Sequence, residues 1–226
     1  MQQLAEDLWT LDFPKRLLGV AIGRVVTLIR LRDGRVVIHS TAPFTPDDVA
    51  RIQSLGELAW MMDVTKFHDS FAQEGRAAFP SITYLVPEGF PKTEQLRARS
   101  LDAVPLEWEG ELRVRRIDGM PGVQEHVLLH VTSRTLIVAD LLFNFTRTSS
   151  GWTKLFARHV MRLKNLSGMS LFFRSMIRDR TAFHRSLNEV LTWDFERVIV
   201  GHGEPIESGA REQLAAVVSS VDKHGG

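Results

Sequence analysis

The chain has 226 residues, with 28 Lys and Arg against 27 Asp and Glu and 44% hydrophobic residues; this fits one globular domain and excludes collagenous, fibrous and intrinsically disordered classes. There is no Cys, which rules out thiol catalysis, iron–sulfur clusters and Cys-ligated zinc, so any metal must be held by His and carboxylate. A reducing, cytoplasmic setting is the simplest expectation for such a chain. The opening MQQLAEDLWTLDFPKRL lacks the uninterrupted apolar core of an export signal, and no stretch approaches the roughly 20 apolar residues of a membrane span.

In chain order, the β-branched runs 24–32 (RVVTLIRLR) and 35–39 (RVVIH) flank Asp33-Gly34, the dipeptide favoured in a two-residue hairpin turn. Thr45, Pro46, Asp47 and Asp48 then form a helix start, with Val49, Ile52 and Leu55 at helical spacing before Gly56. Residues 58–64 read as a buried strand, 68–79 as a second short helix and 82–86 as a strand stopped by Pro87, giving a β-α-β-α-β unit. After a polar stretch over 91–105, strands are expected at 112–117, 125–131 and 135–139, the last closed by Asp140.

A helical segment over 152–192 follows. In it Trp152, Leu155, Phe156, Val160 and Leu163 share one apolar helical face, and for Leu171-Phe172-Phe173 packing on the sheet is expected ahead of a dimer surface. The strand 197–200 (RVIV) runs into Gly201-His202-Gly203, and a last helix carries Leu214, Val217, Val218 and Val221 before a Gly225-Gly226 tail expected to fray. With no repeat and no low-complexity linker, residues 1–226 are expected to form a single layered α/β domain.

Three polar residues stand where apolar strands end: His68, Asp140 and His202. Loops at the carboxyl edge of an α/β sheet share one crevice, so such residues can meet although they are distant in sequence. Asp140, between TLIVA and LLF, is costly to bury unless a metal, a cation or backbone donors neutralise it. The glycines beside His202 allow a sharp bend and leave its imidazole uncrowded.

The segment Ala139-Asp140-Leu141-Leu142-Phe143, followed by Val198-Ile199-Val200-Gly201-His202-Gly203-Glu204-Pro205, resembles in order and spacing the fourth and fifth signature motifs of the metallo-β-lactamase-like superfamily. His39-Ser40-Thr41 stands where that superfamily has its Asp-Thr-Gly turn. Thr65-Lys66-Phe67-His68-Asp69-Ser70-Phe71 stands where its Thr-His-x-His-x-Asp-His motif belongs. The resemblance covers nearly the whole chain and implies an αββα sandwich with the site along one edge of its two sheets.

It also implies a branch with an eroded metal motif. Lys66 replaces the first His of the second motif, Ser70 its Asp and Phe71 its last His. Val123 stands for the His of Pro-Gly-His, with His126 and His130 as the nearby substitutes. In the family His68 would serve one metal and His202 a second, with Asp140 bridging. Here the three imply at most one zinc, iron or manganese ion, which would activate water for hydrolysis while Asp69 accepts a proton. The other reading is a metal-free, non-catalytic binding or interaction module in which the Lys66 ammonium reaches Asp140 and supplies the missing charge.

Between Trp152 and Arg180 there are seven basic residues and one acid, Asp179, leaving 21 basic and 26 acidic residues elsewhere. Lys154, Arg158 and Arg162 form a stripe at spacing four. The block suits an anionic small-molecule substrate, a homodimer face or, less well, an acidic membrane surface. Without aromatic residues interleaved in the stripe it does not read as a dedicated nucleic-acid binder.

Overall fold

The computed structural model describes residues 1–146 and 150–222; His224 and the glycine tail lie outside the described residues. One sheet has seven strands in the spatial order Gln2–Ala5, Leu8–Phe13, Arg24–Arg30, Arg35–His39, Glu57–Met62, Thr83–Val86 and Arg99–Ser100. Its first four strands pair antiparallel. The last three join in parallel, because the helices Pro46–Gln53 and Ala72–Ala78 return the chain to the same end of the sheet. A second sheet contains Leu112–Arg116, His126–His130, Thr135–Ile137 and Arg197–Ile199, the last two parallel.

The expected β-α-β-α-β unit is present, with differences at its edges. The 24–39 hairpin closes through a three-residue loop rather than a two-residue turn: Gly34 N–H donates to the Leu31 carbonyl at 2.9 Å and Leu31 N–H to the Arg35 carbonyl at 2.7 Å. Gly34, at φ +85°, takes the left-handed position, which the Asp-Gly pair supplies equally well in this longer loop. The helix expected over 68–79 is split into 3-10 turns over Lys66–Phe71, kinked at His68 (φ −93°, ψ 17°), and the helix Ala72–Ala78. Several elements lay outside the sequence reading, among them a hairpin at the start of the chain and a strand at the far edge of the first sheet. The N-terminal hairpin turns at Asp7 (φ 60°), and the edge strand Arg99–Ser100 falls within the polar 91–105 stretch.

Three buried clusters divide the molecule into four layers. Val25 and Ile29 point between the sheets with Trp60, Met62, Leu128, Ile137 and Ile199. Their neighbours Val26 and Leu28 face the opposite way, joining Met61, Ile52 and Phe79 beneath the first pair of helices. On the far side Val127, Leu129, Leu136, Val138 and Val198 pack on Phe183, Leu187, Val190, Leu214 and Val217. This alternation along strands buried on both faces is the period-2 signature of an αββα sandwich.

The helical segment resolves into Gly151–His159, Leu171–Ser175 and Arg180–Leu191, ahead of Ala210–Asp222. Its first stripe departs from expectation. Trp152, Leu155 and Val160 are exposed, at 62%, 48% and 57%, and only Leu163 of that set is buried. The buried side carries Thr153 and Ala157, whose small size lets the helix sit close enough for Thr153 Oγ1 to donate to the Ala21 carbonyl at 3.0 Å. Among the described residues no helix is long and apolar enough to cross a membrane.

Phe183→Ala should therefore destabilise the fold by about 3–5 kcal/mol, while Trp152→Ala should cost less than about 1 kcal/mol. Urea unfolding of the two variants checks this, and equal losses would place the helix Gly151–His159 in the core after all.

Candidate metal centre

The pairing of Thr135–Ile137 with Arg197–Ile199 is parallel and sets Ile137 opposite Ile199, so both chains leave the sheet at one edge. Val138 N–H donates to the Ile199 carbonyl at 2.9 Å and Gly201 N–H to the Ala139 carbonyl at 3.1 Å, carrying Asp140 and His202 side by side. From the other sheet, Glu57–Met62 runs toward the same rim and delivers His68. Hydrogen bonds then join the sheets: Val25 N–H to the Gly201 carbonyl at 3.0 Å, Lys66 N–H to that of Val123 at 3.0 Å, and His126 N–H to that of Val64 at 2.8 Å.

The three side chains consequently meet. Asp140 Oδ2 lies 3.6 Å from His68 Nε2 and Oδ1 lies 3.4 Å from His202 Nε2, and one ligand atom from each residue falls within 4.8 Å of the others. The two imidazoles stand edge to face at 5.4 Å, and Phe143 stacks on the His202 ring at 5.7 Å. All three residues are buried.

The flanking glycines serve different purposes. A Cβ at Gly201 would stand 2.9 Å from the Ala139 carbonyl oxygen and 3.0 Å from His68 Cε1, so this glycine allows the close approach of backbone and imidazole. Gly203 has φ +103°, and a Cβ there would collide with the Asn144 carbonyl.

Each ligand is oriented from behind. His202 Nδ1 donates to the Gly23 carbonyl at 2.6 Å, which turns Nε2 toward Asp140. His68 Nδ1 meets Ser40 Oγ at 3.2 Å. The Glu125 carboxylate accepts from the backbone N–H of Ala139 at 2.8 Å and Asp140 at 3.0 Å. Burial, with the Asp140 charge added, pushes the Glu125 carboxyl up to about 8. Although burial opposes it, the neighbouring imidazoles hold Asp140 well below the usual carboxylate range. Burial lowers both His68 and His202 while the Asp140 charge draws them back up, so the carboxylate and the two imidazoles hold their protons as one group.

That arrangement suits a cation. The Gly23 carbonyl can only accept, so a neutral His202 has its proton on Nδ1 and aims the Nε2 lone pair at a carboxylate oxygen. His68 Nε2 is buried without a hydrogen-bond partner. Donors about 2.0–2.2 Å from a tetrahedral ion lie roughly 3.3–3.6 Å apart; the separations of 3.4 and 3.6 Å, each to a different Asp140 oxygen, fall in that range, and the whole set lies within 4.8 Å.

The remaining expected residues go elsewhere. Lys66 does not pair with Asp140: its ammonium donates to the Pro121 carbonyl at 3.3 Å and packs on Gly89, because its side chain leaves the 3-10 turn on the side away from the carboxylate. Asp69 is exposed on the same turn as His68. His126 is held by Asp102 at 3.1 Å and His130 by Ser133 at 2.8 Å, and neither joins the three.

The positive charges facing Asp140 come instead from Arg24 and Lys15, which the sequence reading passed over. Asp63 was also missed, although the argument applied to Asp140 would have found it: a carboxylate inside the apolar run LAWMMDV. It is fully buried and accepts from Thr41 N–H at 3.0 Å, Thr41 Oγ1 at 2.7 Å and the Tyr84 hydroxyl at 2.5 Å.

Among solved structures, a metallo-β-lactamase from Erythrobacter litoralis superposes with a TM-score of 0.65 at 15% identity, covering 98% of this chain and 95% of its own. The fold is that of the metallo-β-lactamases. A metallo-β-lactamase from Pontibacter korlensis is similar with a TM-score of 0.64 at 13% identity, over 99% and 98% of the two chains. One from Pseudomonas aeruginosa, described in a mono-zinc form, gives 0.61 at 14% identity over 98% and 94%. The sequence itself matches no protein-family model and no curated relative. The metallo-β-lactamase-like sandwich therefore accounts for the position of the three residues at a sheet edge, as the motif resemblance implies.

Two outcomes follow from this geometry. Gly203→Ala should lower stability by more than about 2 kcal/mol through strain and collision with Asn144; an unchanged urea midpoint would contradict it. His39 is fully buried, and burial reinforced by Arg24 pushes its imidazole down to about 3. The unfolded chain takes up a proton near pH 6.5 while the folded one does not until about pH 3. This stabilisation is complete above pH 6.5 and is lost as pH falls, with a limiting slope of about 1.4 kcal/mol per pH unit. Urea unfolding between pH 7 and 4 should show a shallower pH slope for His39→Leu than for the natural protein.

Proposed function

We propose that this metallo-β-lactamase-like protein is a metal-dependent hydrolase with a reduced site, in which His68, Asp140 and His202 hold one zinc, iron or manganese ion. The observation that carries the reading is the convergence of two imidazole Nε2 atoms on one buried carboxylate, at 3.4 and 3.6 Å, with the Gly23 carbonyl taking the Nδ1 proton of His202. A divalent ion between them would take the place of the shared protons, and burial, which lowers both imidazoles, favours that exchange. The metal-free reading loses support, because the Lys66 ammonium is engaged by Pro121 and leaves Asp140 to its imidazole neighbours.

When bound, the ion would supply the Lewis acidity that makes water a nucleophile near neutral pH. The protein's own groups do the rest. Gly23 and Ser40 orient the two imidazoles, and Glu125 fixes the backbone around Asp140. In this reading Asp69, exposed one residue beyond His68, passes a proton to solvent.

Elemental analysis of protein purified without an affinity tag should find about one ion per chain. His202→Ala should lose it, and a chelator should lower the melting temperature of the natural protein by several degrees. A metal-free protein whose melting ignores both zinc and chelator would end the proposal.

A further inference from the structure

Arg24 opens the strand Arg24–Arg30, directly after the Gly23 carbonyl that orients His202. Its side chain is fully buried, and all three guanidinium nitrogens lack a hydrogen-bond partner among the described residues. Five buried N–H donors without acceptors are costly. The surrounding carboxylates do not resolve this: Asp63 is engaged by Thr41 and Tyr84, Asp140 by two imidazoles, and Asp69 is exposed.

A second cation stands beside it. The Lys15 ammonium and the Arg24 guanidinium lie against the same Phe71 ring, 5.5 and 6.0 Å from its centroid. Lys15 is half-buried, and burial together with the Arg24 charge pushes its ammonium down to about 8. The ammonium donates to Ser70 Oγ, at 2.9 Å, on the exposed side of the turn. Such a bond at the surface is a weak closure, easily exchanged for a stronger acceptor.

We propose that Arg24 and Lys15 form an oxyanion subsite beside His68, Asp140 and His202, taking a carboxylate or phosphate group of the substrate. The planar guanidinium fork matches either group through two parallel N–H donors, and Lys15 leaves Ser70 to add a third contact. A molecule anchored there by its acidic end has its adjoining bonds beside the three metal-binding residues. Assigning the anion to a substrate rests on the hydrolase reading; the anion subsite itself does not.

Isothermal titration with inorganic phosphate, and separately with acetate, on the zinc-supplemented full chain tests this. At least one should bind saturably, and whichever binds more tightly identifies the group. Lys15→Ala, at a partly exposed position, should weaken binding about tenfold or more. Arg24→Lys, compared once its circular dichroism matches, should do the same because the fork is gone. His202→Ala, which removes the ion, should keep residual phosphate or acetate binding, and adding Lys15→Ala to that variant should abolish what remains.

Zinc-loaded natural protein that binds neither anion would overturn the subsite. So would anion binding lost in His202→Ala yet unchanged in Lys15→Ala, since the ion alone would then hold it. Anion binding sensitive to Lys15→Ala in a protein that takes up no metal would sustain the subsite and remove the hydrolase reading.

Discussion

Along one rim of the sandwich, backbone hydrogen bonds from Val25 to Gly201, Lys66 to Val123 and His126 to Val64 hold the two sheets edge to edge. Everything at the candidate site depends on this closure. It brings a residue of the first sheet, His68, to within 3.6 Å of a carboxylate that follows a strand of the second. It also lets the Gly23 carbonyl, from the first sheet, select the tautomer of an imidazole on the second. Gly201 is the hinge point of the arrangement, because any side chain there would push against both Ala139 and His68. Packing and chemistry therefore share one constraint, and the residue type at position 201 follows from sheet approach as much as from turn geometry.

The electrostatics behind the rim are as constrained as its geometry. Asp140, Asp63, Glu125, Arg24, His39, His68 and His202 are all buried within one region. Burial drives most of their protonation: it raises Glu125 and lowers the histidines. Asp140 escapes the trend because two imidazoles face it. A site of this kind is stable only when each charge meets a partner. Asp63 finds one in Thr41 and Tyr84. The imidazoles converging on Asp140 suit a cation, and the Arg24 guanidinium, without a hydrogen-bond partner among the described residues, suits an anion; a metal ion and an acidic substrate would together provide that complement.

The helical segment shows where periodicity misleads. Trp152, Leu155 and Val160 repeat at helical spacing, yet the sheet is packed by Thr153 and Ala157 from the other side of the helix. A helix that must lie close to the Ala21 backbone selects small residues at the contact. The bulky residues are left on the outside, so an apolar stripe located a helix correctly and misassigned its buried face.

Local physics made much of this molecule legible in one dimension. Alternating apolar runs, an N-cap with Pro46, and Gly34 in a hairpin loop each act over a few residues, and the layered α/β order follows from their succession. His68, Asp140 and His202 could be singled out because polar residues that end apolar strands are conspicuous in any sequence. The charges around them could not be assigned the same way. Lys66 and Arg24 are both cations beside apolar runs, and only the path of the chain decides that one turns to Pro121 while the other is sealed beside Asp140. Side-chain direction across a rim is set by contacts between segments far apart in the chain, Lys66 with Pro121 and Val25 with Gly201 among them, and no local pattern encodes it.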